Sequence, residues 1–162
     1  IKGLRDRVLL MLGYETMRRR SELCSFKFSD LHVLPNGKAA IRLNFSKTDQ
    51  YGQGKLILIS NNLWSLLKKW KKYTGDNDYI LRGVLKNQTI TSGLCPASLC
   101  RILKDLQHEA NIKLHHDLSG HSFRVGAALD MLNDGHPLEH IMLKGGWKSE
   151  STAMRYLRSW LI

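Results

Sequence analysis

A chain of 162 residues suits one domain and can bury a real core. Lys and Arg number 25 against 14 Asp and Glu, a net charge of +11 and a pI near 9.8, which points to a polyanionic partner, with nucleic acid ahead of membrane. No apolar run approaches the roughly 18 residues that a membrane span needs, and no signal peptide opens the chain.

In chain order, Leu4, Val8, Met11 and Leu12 recur at helical spacing and predict a first helix reaching about Met17. A strand region follows. Asn36-Gly37 is a strong hairpin-turn signal, and beyond it Ile41, Leu43 and Phe45 alternate with Arg42, Asn44 and Ser46, the period of a half-buried strand. The run Leu56-Ile57-Leu58-Ile59 reads as its partner across a loop from Thr48 to Gly54, so about three antiparallel strands lie between residues 28 and 59.

The remainder reads as mostly helical. Leu63, Leu66, Leu67 and Trp70 make one apolar face, with Lys68, Lys69, Lys71 and Lys72 on the solvated side. Leu99, Ile102, Leu103 and Leu106 make another, opened by Pro96. A helix from about Ser122 stops near Gly135, and a short one from Pro137 ends at Gly145-Gly146. Ser149 caps a last helix with Ala153, Tyr156, Leu157 and Trp160 on one side. The fold class is mainly α with one small antiparallel sheet. There is no repeat or linker, so residues 1–162 are read as a single domain. The absence of an initiator Met at Ile1 suggests a fragment of something longer.

Cys24, Cys95 and Cys100 are odd in number and lack a paired spacing, which fits a reducing cytosolic compartment. Cys95 and Cys100 with His115 and His116 make a poor zinc set. No carboxylate cluster suggests paired Mg²⁺ either, and no cofactor is expected. Phosphodiester cleavage without a metal would need planar cationic forks for the non-bridging oxygens. It would also need a hydroxyl or thiol nucleophile and a proton donor for the leaving oxygen. Three segments offer such parts: Arg18-Arg19-Arg20-Ser21-Glu22-Leu23, His121-Ser122-Phe123-Arg124, and Gly145-Gly146-Trp147 with Tyr156 nine residues on. His121 and Arg124, three apart, share one helix face. Each feature alone has a plainer reading: a core tyrosine, a solvated arginine run, a capping histidine.

Together, RRSEL, HSFR and GGWKSESTAMRY in that order resemble the signature of the tyrosine recombinase (phage integrase) family, from Leu4 to Trp160. Trp147 at the position of the usual third-motif histidine resembles the Cre-like branch. The resemblance implies a tyrosine recombinase catalytic-domain fold, lacking here the family's preceding DNA-binding domain, and metal-independent strand cleavage and rejoining. It implies Tyr156 as nucleophile forming a 3′-phosphotyrosyl link, Arg19 and Arg124 on the phosphate oxygens, and Lys47 as the acid for the 5′ oxygen. It further implies His121 assisting proton transfer or phosphate binding, Trp147 positioning the nucleophile, and Glu22 orienting the first arginine's neighbourhood. The R-x-S-E spacing favours Arg19 and leaves Arg18 as the alternative, because the family's usual Gly and apolar residue before that arginine are here Met17 and Arg18. Lys55 is the nearby alternative to Lys47. The implied partner is double-stranded DNA, bound by a homo-oligomer, a tetramer on DNA in the full-length form. The implied place is the cytoplasm and nucleoid of a bacterial or phage-infected cell, with no membrane association. A type IB topoisomerase-like relaxase and a non-catalytic DNA-binding remnant of an integrase are the competing readings.

Overall fold

The structure, a computed structural model, describes residues 1–44, 54–75 and 78–158, without the side chain of Tyr156. The chain opens with α1 (Lys2–Thr16) and the short α2 (Arg20–Ser25). Three strands follow, β1 (Leu31–Val33), β2 (Ala39–Leu43) and β3 (Lys55–Ile59), and then α3 (Asn61–Thr74). The second half holds α4 (Pro96–Glu109), α5 (Ser122–Asn133), α6 (Leu138–Gly145) and α7 (Glu150–Arg158). This is the mainly α architecture with a three-stranded antiparallel sheet, ordered β1-β2-β3, that the residue pattern predicts.

The sheet register follows from side-chain alternation. Ala39 faces Ile59 and Ile41 faces Ile57 across β2 and β3, all four buried. Leu56 and Leu58 of β3 point to the other side and are about half exposed, 49% and 52%. The turn between β1 and β2 is at Asn36-Gly37, with Gly37 at φ 81°, a left-handed conformation that glycine adopts without steric cost. The alternation at Phe45 and Ser46 and the loop from Thr48 lie outside the described residues.

Two elements depart from the linear reading. The RRSEL segment is itself a helix, α2, six residues long and too short to show a periodic apolar face. Residues 78–95, where the pattern reads mostly helical, are irregular, with isolated bridges Lys27↔Tyr79 and Val84↔Ile90. Arg82 is buried there and donates to Thr91 O, while turn bonds such as Gly83 N–H to Gly93 O, Leu85 N–H to Thr89 O and Thr91 N–H to Gly83 O satisfy the backbone in place of a helix.

The apolar residues fall into two clusters. The larger joins α1, α2, the sheet, α3 and α4 around Leu9, Leu12, Ile41, Leu67, Trp70 and Leu99. The smaller joins α5, α6 and α7 through Ala127, Ala128, Ile141, Trp147, Ala153 and Leu157. Met17, fully buried, belongs to the second cluster although it directly follows α1. It ends α1 in the left-handed region, at φ 54°, with its N–H on Gly13 O. That geometry costs a non-glycine residue about 1–2 kcal/mol, which burial of the side chain offsets. The chain between the clusters therefore turns sharply at residue 17, and the arginines that follow lie on the seam.

The contact of α1 with α5 across this seam is close. A Cβ on Gly13 would sit 2.7 Å from the ring of Phe123, whereas one on Gly126 of α5 would meet nothing within 4 Å. Gly13→Ala is expected to cost about 1–3 kcal/mol through overpacking. Gly126→Ala is expected to gain about 0.4–1 kcal/mol by restricting the unfolded chain. Urea unfolding of the two variants checks this, and equal effects of the same sign would show that the α1–α5 seam is not tightly packed.

Candidate active site

α6 sets the geometry of the site. A helix leaves its last four carbonyls without intrahelical partners, and in α6 these belong to Met142, Leu143, Lys144 and Gly145. Met142 O accepts backbone N–H groups from Gly146 and Trp147, the latter at 3.0 Å, as the chain turns through Gly146 at φ 75°. The other three each accept from a different basic side chain. Lys55 Nζ donates to Leu143 O, Arg18 Nη2 to Lys144 O, and Arg124 Nη2 to Gly145 O at 2.7 Å. Cations at a helix C-terminus also meet the negative end of its dipole.

The two glycines of this turn are steric necessities. A Cβ on Gly145 would lie 2.3 Å from the Trp147 ring, and one on Gly146 would lie 3.0 Å from Arg18 Nη1. Trp147 is buried, and the Arg124 guanidinium stands 4.7 Å from its ring centroid, a cation–π contact. Arg124, itself buried on the first turn of α5, is thus fixed between a carbonyl and an indole face.

The structure separates Arg18 from Arg19. Arg18 is 4% exposed, with Nε on Thr16 O at 2.9 Å and its fork on α6. Burial, aided by Arg19, lowers its pKa, while Glu22 opposes that shift. Its guanidinium is directed inward. Arg19, at the N-terminus of α2, keeps 29% of its side chain exposed and lines a surface cleft of about 390 Å³ with Arg20, Ser21, Cys100, Ser119, Gly120 and His121. Glu22 is buried between the two arginines, Oε1 at 3.4 Å from Arg19 and Oε2 at 3.9 Å from Arg18. Gly120 lets the loop approach: a Cβ there would meet Arg20 Cβ at 2.8 Å.

His121 stands just before α5, as its N-cap, rather than on a shared helix face with Arg124. Its pKa is lowered by partial burial and by the charges of Arg124, Arg19 and Arg20. The first two motifs therefore converge electrostatically on one imidazole. Tyr156 lies on α7 between buried Ala153 and Leu157, joined to Trp147 by the turn at Ser149, whose carbonyl accepts from Ala153 N–H. Lys47 and Trp160 lie outside the described residues.

The residues that sequence reasoning left out of the site are Arg20, which flanks the cleft, and Arg18 and Lys55 in their role at α6. Lys55 opens an apolar strand and gives no periodic signal. Burial, with help from Arg18 and against Glu22, pushes its pKa down to about 8. Among the described residues no group of three or more His, Cys, Asp or Glu could hold a metal ion.

A family model described as the phage integrase family matches residues 1–160. The chain is 27% identical over 173 residues to recombinase Cre of Escherichia phage P1, covering 98% of this chain and 50% of that protein. It is 31% identical over 165 residues to an integrase/recombinase XerD homolog of Selenomonas ruminantium, covering 97% and 48%. These identities do not set a Cre-like branch apart. Among solved structures, XerA recombinase is similar with a TM-score of 0.75 and 21% identity, covering 96% of this chain and 54% of that one. XerH recombinase bound to its difH substrate is similar with a TM-score of 0.73 and 22% identity, covering 94% and 42%. These two likenesses show the fold. The chain spans about half the length of the curated relatives it matches.

His121 gives a direct test of the site's charge. With its pKa lowered, the imidazole is held neutral in the fold at pH values where the unfolded chain would begin to protonate it. The unfolded state then binds more protons, so this group's contribution to stability is present above the ordinary histidine value near 6.5 and is lost as pH falls below it. NMR titration is expected to place the His121 midpoint below 6.5, and a duplex oligonucleotide is expected to raise it by adding phosphate charge. A midpoint unmoved by DNA would place the polyanion elsewhere.

Proposed function

Because the chain belongs to the phage integrase family, we propose that it is the catalytic domain of a tyrosine site-specific DNA recombinase, cleaving and rejoining DNA strands without a metal. The observation that carries this reading is the division between an inward Arg18 and an outward Arg19. Arg19 opens with His121 onto a basic cleft, while Arg124 is fixed beside it by Trp147 and α6. A relative of similar fold, XerH, is described with its difH substrate in a pre-cleavage complex, which supports DNA as the polyanion here.

In this mechanism Arg19 and Arg124 bind the non-bridging oxygens of the scissile phosphate. Preorganised donors of this kind are each worth about 10²–10³ in rate. The Tyr156 hydroxyl attacks phosphorus, the bond to the 5′ oxygen breaks, and Lys47 supplies that oxygen with its proton. Reversal by a 5′ hydroxyl restores the phosphodiester, because the phosphotyrosyl ester conserves the bond's energy. Tyrosine's unperturbed pKa is about 10, so a cationic site is needed to favour the phenolate. His121, neutral in the free protein, accepts or relays a proton at the phosphate. Glu22 holds the Arg19 guanidinium from behind. We read residues 1–162 as one domain of a longer recombinase that acts as a tetramer on DNA, in the cytoplasm and on the nucleoid. Consistent with that location, no helix among the described residues is long and apolar enough to cross a membrane.

A nicked suicide duplex tests the proposal by trapping a covalent protein–DNA adduct. Adduct is expected with the protein and not with Tyr156→Phe, which removes one hydroxyl and leaves DNA affinity nearly intact. Undiminished adduct in the variant would eliminate Tyr156 as nucleophile, and no adduct with any site would favour a non-catalytic remnant. Cleavage is expected to persist in EDTA, and strict Mg²⁺ dependence would refute the metal-free mechanism. A substrate with sulfur replacing the leaving 5′ oxygen is expected to rescue Lys47→Ala, since a thiolate leaves without an acid. Failure of that rescue would shift the acid role to Lys55 or His121.

A further inference from the structure

Arg18 and Lys55 have no part in the chemistry just described, yet both are anchored to the element that positions it. Each donates to one carbonyl of the last turn of α6, beside the carbonyl held by Arg124. The turn leads directly into Trp147, whose ring supports the Arg124 guanidinium at 4.7 Å. A displacement of this turn would carry with it both the acceptor of Arg124 and the indole beneath it.

We propose that Arg18 and Lys55 are positioning residues for strand cleavage: with Arg124 they complete a three-cation cap on α6, and this cap fixes Arg124 and Trp147 relative to the scissile phosphate. The inference rests on the recombinase reading and extends it to two side chains outside the proposed reaction steps. Three features favour a device built for placement rather than for stability. Burying Arg18 at 4% exposure carries a desolvation cost. Among the described residues one carboxylate, Glu22, offsets the charges of Arg18 and Lys55, at 3.9 Å from Arg18. Gly146 also leaves the space that the Arg18 fork fills, with a Cβ there meeting Nη1 at 3.0 Å.

Lys55 gives the cap a pH dependence. Among the described residues, the charged and titratable groups around it are Arg18 and Glu22, and His140 and Lys144 on α6, with Arg42 beside Gly54 on the adjoining strand. With its pKa at about 8, Lys55 loses its charge above that pH, and the charge-assisted bond to Leu143 O weakens to a neutral one. Stability moves the other way. The unfolded lysine keeps its proton up to about 10.5, so the unfolded state binds more protons between about 8 and 10.5, and this group's contribution to stability rises there. A decline in cleavage over that window, with no decline in stability, is a signature that a purely structural lysine would not give.

The experiment compares the protein with Lys55→Met and Lys55→Arg, using the nicked duplex at saturating concentration, its affinity, and the Trp147 indole ¹H–¹⁵N resonance assigned with Trp147→Phe. Lys55→Met is expected to cleave at least about tenfold more slowly with little change in affinity, since a shift of order 1 Å in a positioned group can cost about 10²-fold. Lys55→Arg, charged at all accessible pH values, is expected to restore most of the rate. It is also expected to remove the part of the alkaline decline that begins near 8, leaving any due to Lys47. The Trp147 resonance is expected to shift with a midpoint near 8 in the protein and not in Lys55→Arg. Wild-type cleavage by Lys55→Met, or a Trp147 resonance indifferent to pH across this range, would overturn the proposal. If the unsubstituted protein forms no adduct on any nicked duplex, the recombinase reading fails. The resonance then decides separately whether the cap holds Trp147. Arg18→Met, a buried change, is read in the same assays only where its unfolding midpoint shows a folded protein.

Discussion

A helix of eight residues has half of its carbonyls in its open C-terminal turn, and α6 is such a helix. Left in a partly buried seam, those groups would each carry a desolvation cost of about 1–3 kcal/mol. The protein satisfies three of the four with donors from distant stretches of chain: the segment after α1, the start of β3, and the first turn of α5. α6 is thereby one point at which the two apolar clusters are tied by polar contacts. It adds to the close packing of α1 on α5, where Gly13 faces the Phe123 ring and Tyr14 OH donates to Asp130.

The consecutive arginines at 18, 19 and 20 show how one run divides its labour. The left-handed turn at Met17 and the start of α2 rotate successive side chains into different surroundings. Arg18 enters the seam, Arg19 lines the cleft with Glu22 behind it, and Arg20 lies along the surface with Nη1 at 3.4 Å from Cys100 Sγ. Such separation is helped by glycines on the facing loops: a Cβ on Gly120 would clash with Arg20 Cβ at 2.8 Å, and one on Gly146, at φ 75°, would crowd Arg18 Nη1 at 3.0 Å.

Much of this was legible from residue patterns because the relevant signals are local. The apolar faces of α3 and α4, the turn at Asn36-Gly37, the glycine end of α6 and the serine start of α7 depend on neighbours within a few positions. The members of the site, Arg19, Glu22, His121, Arg124 and Trp147, could be named from motif order, and the fold brings them to one seam. The different surroundings of Arg18 and Arg19 needed tertiary information, because Arg18 is buried against Lys144, 126 positions away. The role of Lys55 was hidden for the same reason: its acceptor at Leu143 is 88 residues distant. α2 escaped the periodicity argument by being shorter than two turns. The irregular stretch at 78–95 did so because scattered turn and bridge bonds, not a regular ladder, satisfy its backbone.

The shifts resolved for the site's basic groups run in one direction. Arg18, Lys55 and His121 are all shifted toward losing their protons, by burial first, with neighbouring cations adding to the shift and Glu22 opposing it at Arg18 and Lys55. Among the described residues, Glu22 is the acid that acts on both Arg18 and Lys55. A network built to stabilise a fold would pair these charges, since an uncompensated buried cation costs several kcal/mol. Among the described residues the cations gather instead toward the cleft where Arg19 and His121 open to solvent. Negative charge arriving at that cleft would relieve repulsion that the folded protein already carries. The interaction energy would then be largest when the charge on the bound group is greatest, as it is on a phosphorane-like transition state, rather than spread evenly over binding and reaction.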